Sequence, residues 1–352
     1  MQIRQPARFR SRAVAAFAAA GALALSACGQ GSGGSGSSDG GDGTAGGKAY
    51  DWDMTITTGK TSTWYEGAEL FGQVLEEKSG GRMTLNIFPS EQLTSGDQVA
   101  GVEMLMEGDK AFSYNSTIVY AGIDPKFGAV NAPFLYEDAD EATATLEATG
   151  FDAYKELAAG HGVELLGFGE SGFRQITNNA RPILEPADLK GIKLRIPGIG
   201  LFTDIFQTLG ANPTTMNFAE VFTALQQGTI DGQENPIDVI YSASLNEVQD
   251  YLSVWNYVYD PLILGMNKDL FDALTSEDQQ IVLDAAAEAN ELQISSNREK
   301  QESQLEELRA DMEIVELTPE QVAVFQEEVD PLYGKYQEVW GADLAKALQP
   351  QK

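Results

Sequence analysis

The chain has one cysteine, Cys28, and one histidine, His161, in 352 residues. A single cysteine leaves no disulfide to form within the chain. A single histidine excludes an HExxH zinc site and any histidine cluster. His161 stands in an Ala-Gly-His-Gly stretch that reads as a surface loop. There is no GxxxxGK[ST] loop, which argues against nucleotide hydrolysis, and no GxSxG elbow between a strand and a helix. Basic residues are scarce, with 23 Lys and Arg against 53 Asp and Glu and a net charge of −30. Phosphate binding needs basic surface, so nucleic acid is a poor partner for this chain. Solubility alone accounts for an acidic surface, which therefore implies nothing about a cationic substrate. The carboxylates include no pair whose spacing marks a general acid and base, and solvated faces are their ordinary role.

What is present begins with a targeting pattern. Arg4, Arg8, Arg10 and Arg12 form a basic segment, and Ala13 to Leu25 an apolar one. That apolar run is too short to span a bilayer and reads as the core of a signal peptide. It ends in Leu25-Ser26-Ala27-Cys28, which resembles a bacterial lipobox with Cys28 as the lipidated first mature residue. An ordinary secretory signal with an incidental cysteine is the alternative. Residues 1–27 carry four arginines and no acid, so the chain from Cys28 has 19 basic and 53 acidic residues, a balance of −34. Residues 29–47 are almost wholly Gly, Ser and Asp. Such a segment buries no apolar surface and is expected to be a disordered tether, with a span on the order of 25 Å. No later stretch is apolar and long enough to cross a bilayer.

Strands then alternate with helices. Trp52 to Ile56, Met83 to Phe88, Lys110 to Tyr114 and Val163 to Phe168 read as strands. Trp64, Ala68, Phe71 and Leu75 mark a first helix at helical spacing, and Val99, Val102 and Met106 a second. A third is expected over about Asp138 to Ala159. This alternation predicts parallel βαβ units and an α/β fold. Gly167-Phe168-Gly169-Glu170-Ser171-Gly172 spells GxGxxG, yet Phe173 to Asn179 alternates like a strand where a dinucleotide site needs a helix. A Gly-rich crossing between two domains suits it better. Leu252 to Met266 is expected as two strand-length pieces broken at Asp260-Pro261. From Thr275, with Asp278 as a capping-box-like partner, a helix free of Pro and Gly runs to about Ala310. At 1.5 Å per residue it spans roughly 50 Å, enough to brace two domains.

The middle of the chain carries the most specific pattern. Pro186-Ala-Asp-Leu-Lys-Gly-Ile-Lys-Leu-Arg-Ile-Pro197 holds a short strand, Ile192 to Ile196, in which alternation puts Lys193 and Arg195 on one face. Pro197 and Gly198 end it, so Arg195 stands at a strand end. Downstream, Phe218 opens a helix after Asn217, with Glu220 completing a cap-like Asn-x-x-Glu start. Gly228 ends it, and Asp231-Gly-Gln-Glu-Asn-Pro236 follows. Pro236 drives Asn235 out of helical geometry, which reads as a loop residue at a fixed angle. Together, KGxKxRxP and ALQxGxxDGQENP in this order resemble the DctP-type solute-binding proteins of TRAP transporters, from about residue 50 to the C-terminus.

The resemblance implies a two-domain, periplasmic-binding-protein-like α/β fold with a ligand cleft between the domains and a long bracing helix. Domain I is expected over 48–171 plus 261–300, and domain II over 172–260 plus 301–352. A guanidinium offers two parallel hydrogen bonds to a carboxylate, so Arg195 is the expected anchor of an organic acid. Arg174, in a Gly-x-Arg segment, is a ligand contact by the resemblance or else an interdomain ion pair. Asn235 is a ligand contact or a turn residue, and Phe218 lines the cleft or packs in the core. Trp64 and Tyr114, near strand ends of the first domain, are candidate wall residues. No cofactor and no metal are expected. The expected partners are a small organic acid, the TRAP membrane permease subunits and, through Cys28, the outer face of the cytoplasmic membrane, with the protein acting as a monomer. The rival readings are a binding protein of an ATP-driven importer or a sensor, and an enzyme using carboxylates.

Overall fold

The computed structural model describes residues 47–350. The basic segment, the lipobox with Cys28 and the Gly/Ser tether lie outside the described residues. Ten strands make up the sheet: β1 Tyr50–Thr55, β2 Met83–Phe88, β3 Phe112–Ser116, β4 Val163–Asn178, β5 Lys193–Ile196, β6 Asn212–Thr215, β7 Gly232–Pro236, β8 Tyr251–Val254, β9 Tyr259–Asn267 and β10 Glu313–Glu316. Their spatial order is β2-β1-β3-β9-β4-β7-β5-β6, with β8 on β4 and β10 on β8. The outer pairs β1–β2, β1–β3, β5–β6 and β5–β7 are parallel, as βαβ units require. The centre is antiparallel, because β9 and β4 pair with each other, β9 with β3, and β4 with β7. Helix–strand alternation does not foretell this, since β9 joins strands far behind it in the chain, Met266 pairing with Phe112 of β3 and Asn267 with Val163 of β4.

The 16-residue strand β4 carries the GxGxxG segment and is shared by both halves of the sheet. No helix begins there. The β4–β9 ladder slips between Leu165 and Gly167 and again between Glu170 and Gly172, and Gly167 and Gly172 have φ of 158° and 94°. These glycines therefore serve β-bulges, which bend a strand. Asp260-Pro261 does not break the following strand. Pro261 lies inside β9 opposite Glu170, next to the second slip, where a residue without an N–H is tolerated. The interruption falls instead between Val254 and Tyr259.

The expected helix over 138–159 is three pieces, Ala139–Thr145, a wider turn Leu146–Gly150, and Phe151–Ala159. The long helix is Ser276–Leu308, and Thr275 caps it by accepting from the Asp278 N–H at 3.1 Å. Near its start it packs Val282, Ala285, Ala286 and Ala289 into the core under β1 and β3. Further along, Gln293 clasps β4, accepting from the Glu170 N–H and donating to the Glu170 carbonyl, both at 2.8 Å. Near its end Gln304 donates to Asp238 at 2.9 Å and Leu308 joins a separate cluster with Ile237 and Leu252. One helix thus ties both ends of the sheet. No helix of the described residues is long and apolar enough to cross a membrane.

Candidate functional site

Several strand ends and helix starts meet around one cavity. β1 stops at Thr55 and β3 at Ser116, each followed by a turn or helix start. The helix Thr63–Lys78 begins there, capped by Ser62, which accepts from the Tyr65 N–H. β5 and β7 bring their carboxyl ends from the other half of the sheet. In open α/β sheets this is where ligand crevices form. The space between these elements, part of it open to solvent, amounts to about 360 Å³. Its wall is Thr57, Thr58, Trp64, Gln98, Ser116, Ile118 and Val119 from the first half, and Arg174, Arg195, Pro197, Phe218, Asn235 and Val239 from the second.

Arg195 is the last-but-one residue of β5 and is 2% exposed. Its Nε and Nη2 donate to the Met216 carbonyl at 3.1 and 2.7 Å. Its guanidinium carbon lies 5.9 Å from the centre of the Phe218 ring, a cation–π arrangement. Among the described residues no carboxylate forms an ion pair with it. Burial pushes its pKa down to about 10, against the pull of Glu234, and the neighbouring Arg174 lowers it further. It stays charged at neutral pH, buried and short of a counter-ion.

Arg174 is the opposite case. On β4, it donates to Glu234 Oε2 at 2.5 Å and Oε1 at 2.9 Å, to Asp260 Oδ2 at 2.6 Å, and to the Glu234 carbonyl and Asn235 Oδ1 at 2.8 and 3.0 Å. Tyr257 O–H supports Glu234 at 2.7 Å, and Ser116 O–H supports Asp260 at 2.5 Å. Burial raises the Asp260 pKa to about 6, and Arg174 opposes that rise. Arg174 therefore reaches the cavity wall with its charge already matched. The ion pair lies wholly within residues 172–260, so it is not the interdomain pair its sequence suggested, and Arg174 lines the cavity as well.

Asn235 is not in a loop. It belongs to β7 and pairs with Gln175 of β4, while its side chain accepts from Arg174 and donates to Gln233 at 2.5 Å. Pro236 ends β7 and precedes the helix Ile237–Ser242. Phe218 opens the helix Phe218–Gln226, but the Asn217 side chain makes no capping bond, and the Phe218 N–H goes to Gln98 Oε1 at 3.3 Å. Trp64 is buried in the first turn of its helix, and its indole N–H has no partner among the described residues.

Tyr114 is a correction. It does not line the cavity, and its hydroxyl donates to Asn290 at 2.9 Å on the long helix. It shares a face with Ser116 but stands two residues short of the end of β3, under the sheet rather than at its rim. Sequence reasoning missed Thr57, Thr58, Ser116 and Gln98, although each follows or ends a strand or starts a helix. The carboxyl-end rule applied at every strand finds the first three. His161 faces Asp124 at 3.0 Å and does not line this cavity. No group of described residues is arranged to hold a metal ion.

The family model described as bacterial extracellular solute-binding protein, family 7, matches residues 54–339. A 2,3-diketo-L-gulonate-binding periplasmic protein of Escherichia coli (strain K12) is 36% identical over 242 residues, covering 67% of this chain and 71% of that one. A C4-dicarboxylate-binding protein of Bacillus subtilis (strain 168) is 30% identical over 284 residues, covering 80% of each. Among solved structures, the sugar acid binding protein of Advenella mimigardefordensis in complex with galactonate superposes with a TM-score of 0.82 at 28% identity, over 86% of this chain and 97% of that one. A TRAP periplasmic solute-binding protein of Sulfurospirillum deleyianum with bound succinate gives 0.81 at 27% identity, over 87% and 100%.

Proposed function

This chain belongs to the DctP family of bacterial extracellular solute-binding proteins (family 7), and from that premise we propose that it captures a small organic acid in the cavity around Arg195 for a TRAP-type membrane permease. The observation that carries this is a buried guanidinium without a carboxylate partner among the described residues. A buried charge is ordinarily paired, and a planar fork of N–H groups matches a carboxylate. The relatives that bind diketogulonate, C4-dicarboxylates, galactonate and succinate all take acids, in keeping with that pairing. Arg174, locked to Glu234 and Asp260, is a rigid part of the wall that aims Asn235, and the ligand's charge goes to Arg195. Trp64 and Phe218 close the cavity from opposite halves of the sheet.

Residues 48–171 with 261–300, and 172–260 with 301–352, form the two lobes of this reading. Only a closed arrangement contacts the acid from both, so ligand shifts the population toward closure. Cys28 carries the lipid that holds the protein at the outer face of the cytoplasmic membrane. The protein works as a monomer and returns its ligand unchanged, without enzymatic turnover. The test is a thermal-shift screen of organic acids, in which an acid at 100 times its Kd adds about 2.7 kcal/mol of stability. A screen in which neutral sugars and amines stabilise the protein and carboxylic acids do not would overturn the reading.

A further inference from the structure

Hydrogen bonds made behind the cavity wall fix which way several of its polar groups face. Ser116 donates its only hydroxyl hydrogen to Asp260 at 2.5 Å and accepts from the Ile118 N–H at 3.0 Å. Thr58 and Ser62 share a bond of 2.7 Å, and Ser62 spends its own hydrogen on the Gly59 carbonyl at 2.9 Å. The hydrogen between those two hydroxyls is therefore Thr58's. The Thr58 and Ser116 hydroxyls have no hydrogen left for a ligand and present lone pairs only.

Other groups present hydrogens only. Arg195 keeps N–H groups beyond those on Met216. The Gln98 carbonyl oxygen accepts from Phe218, so its amino group is the free end. The Trp64 indole N–H is buried without a partner among the described residues. No carboxylate lines the cavity, and Glu234 and Asp260 behind its wall are held by Arg174.

Resting on the reading of this cavity as an acid-binding site, we propose that it selects a hydroxy acid. The carboxylate sits on Arg195, and the ligand's hydroxyls donate to Thr58 and Ser116 while accepting from the free N–H groups. A hydroxyl does both at once, which suits a wall of interleaved lone pairs and donors. A second carboxylate only accepts, so it faces the oxygens of Thr58 and Ser116 unfavourably. An ammonium group only donates, finds no free carboxylate and meets the Arg195 charge.

The test is titration calorimetry on the full chain at neutral pH with butanoate, succinate, 2,3,4-trihydroxybutanoate and threonine, all four-carbon acids. Trihydroxybutanoate is expected to bind at least roughly tenfold more tightly than butanoate and succinate, with threonine weakest, since two or more added neutral hydrogen bonds are worth that much. Thr58→Val and Ser116→Ala should each shrink the trihydroxybutanoate-to-butanoate ratio about three- to tenfold, the value of one such bond. Ser116 also caps a helix, so the thermal midpoint of each variant is measured alongside, and the ratios of the parent protein decide the main point without either variant. Succinate binding as tightly as trihydroxybutanoate, or a ratio that survives both substitutions, overturns the inference. Failure of all three amine-free acids to bind, or binding indifferent to Arg195→Ala, overturns the acid-binding reading beneath it instead.

Discussion

Arg195→Ala separates binding from folding because of how the arginine is held. Of the five N–H donors of a guanidinium, two reach the Met216 carbonyl. No carboxylate of the described residues depends on the rest. The truncation leaves one uncharged carbonyl short of a partner, at about 1–3 kcal/mol where it is buried, within the ~5–15 kcal/mol stability of an ordinary domain. The bound acid loses far more. A carboxylate buried without its counter-ion costs about 2–5 kcal/mol, which is roughly 30-fold to several thousand-fold in affinity at ~1.4 kcal/mol per tenfold. Arg195→Lys keeps a charge but loses the planar fork and its place on Phe218, so it should fall between alanine and the parent. Calorimetry with the most stabilising acid from the screen measures affinity, and circular dichroism confirms that each variant is folded. A folded Arg195→Ala protein that binds the acid as tightly as the parent refutes the assignment of Arg195 as anchor.

Arg174→Ala should act first on stability, since it strands Glu234 and Asp260 in the interior. Breaking a buried pair costs about 3–5 kcal/mol, so a chemical-denaturation midpoint equal to the parent's would count against this network. Asp278 has a pKa below its ordinary value, held there chiefly by the Arg82 hydrogen bond at 2.6 Å. A carboxyl depressed in the folded state stabilises above its unfolded pKa and loses that contribution as pH falls through the folded one. Arg82→Met should therefore lower the thermal midpoint at pH 7, with the gap closing on acidification, and a gap that widens in acid is the contrary result. Cys28→Ser should move the protein from membranes to the soluble fraction, as lipid chains are what hold such a domain, and unchanged fractionation would remove the anchor from the proposal. Small-angle scattering should show a smaller radius of gyration with saturating acid than without, and superimposable curves with binding verified would argue against closure.

The sequence by itself determined whatever depends on neighbours along the chain. Alternation places Arg195 at the end of a short strand stopped by Pro197, and the structure has it at the last-but-one residue of β5. A Pro- and Gly-free run with a Thr275 cap determines the helix Ser276–Leu308. Both signals are local, because backbone periodicity, caps and turn residues act over a few positions. Tertiary structure alone decided the charge balance of the cavity. Arg174 meets Glu234 and Asp260 across 60 and 86 residues of chain, and these meetings follow from the antiparallel registers of β4 with β7 and β9. The same registers draw Asn235 into a strand and let Pro261 lie at a bulge within one. Tyr114 turned inward because the rim of the cavity lies two residues further along β3. Register between distant strands is set by the packing of the whole sheet, so of the two arginines in the cavity wall Arg195 is left with a free charge and Arg174 is neutralised, a distinction no local pattern carries.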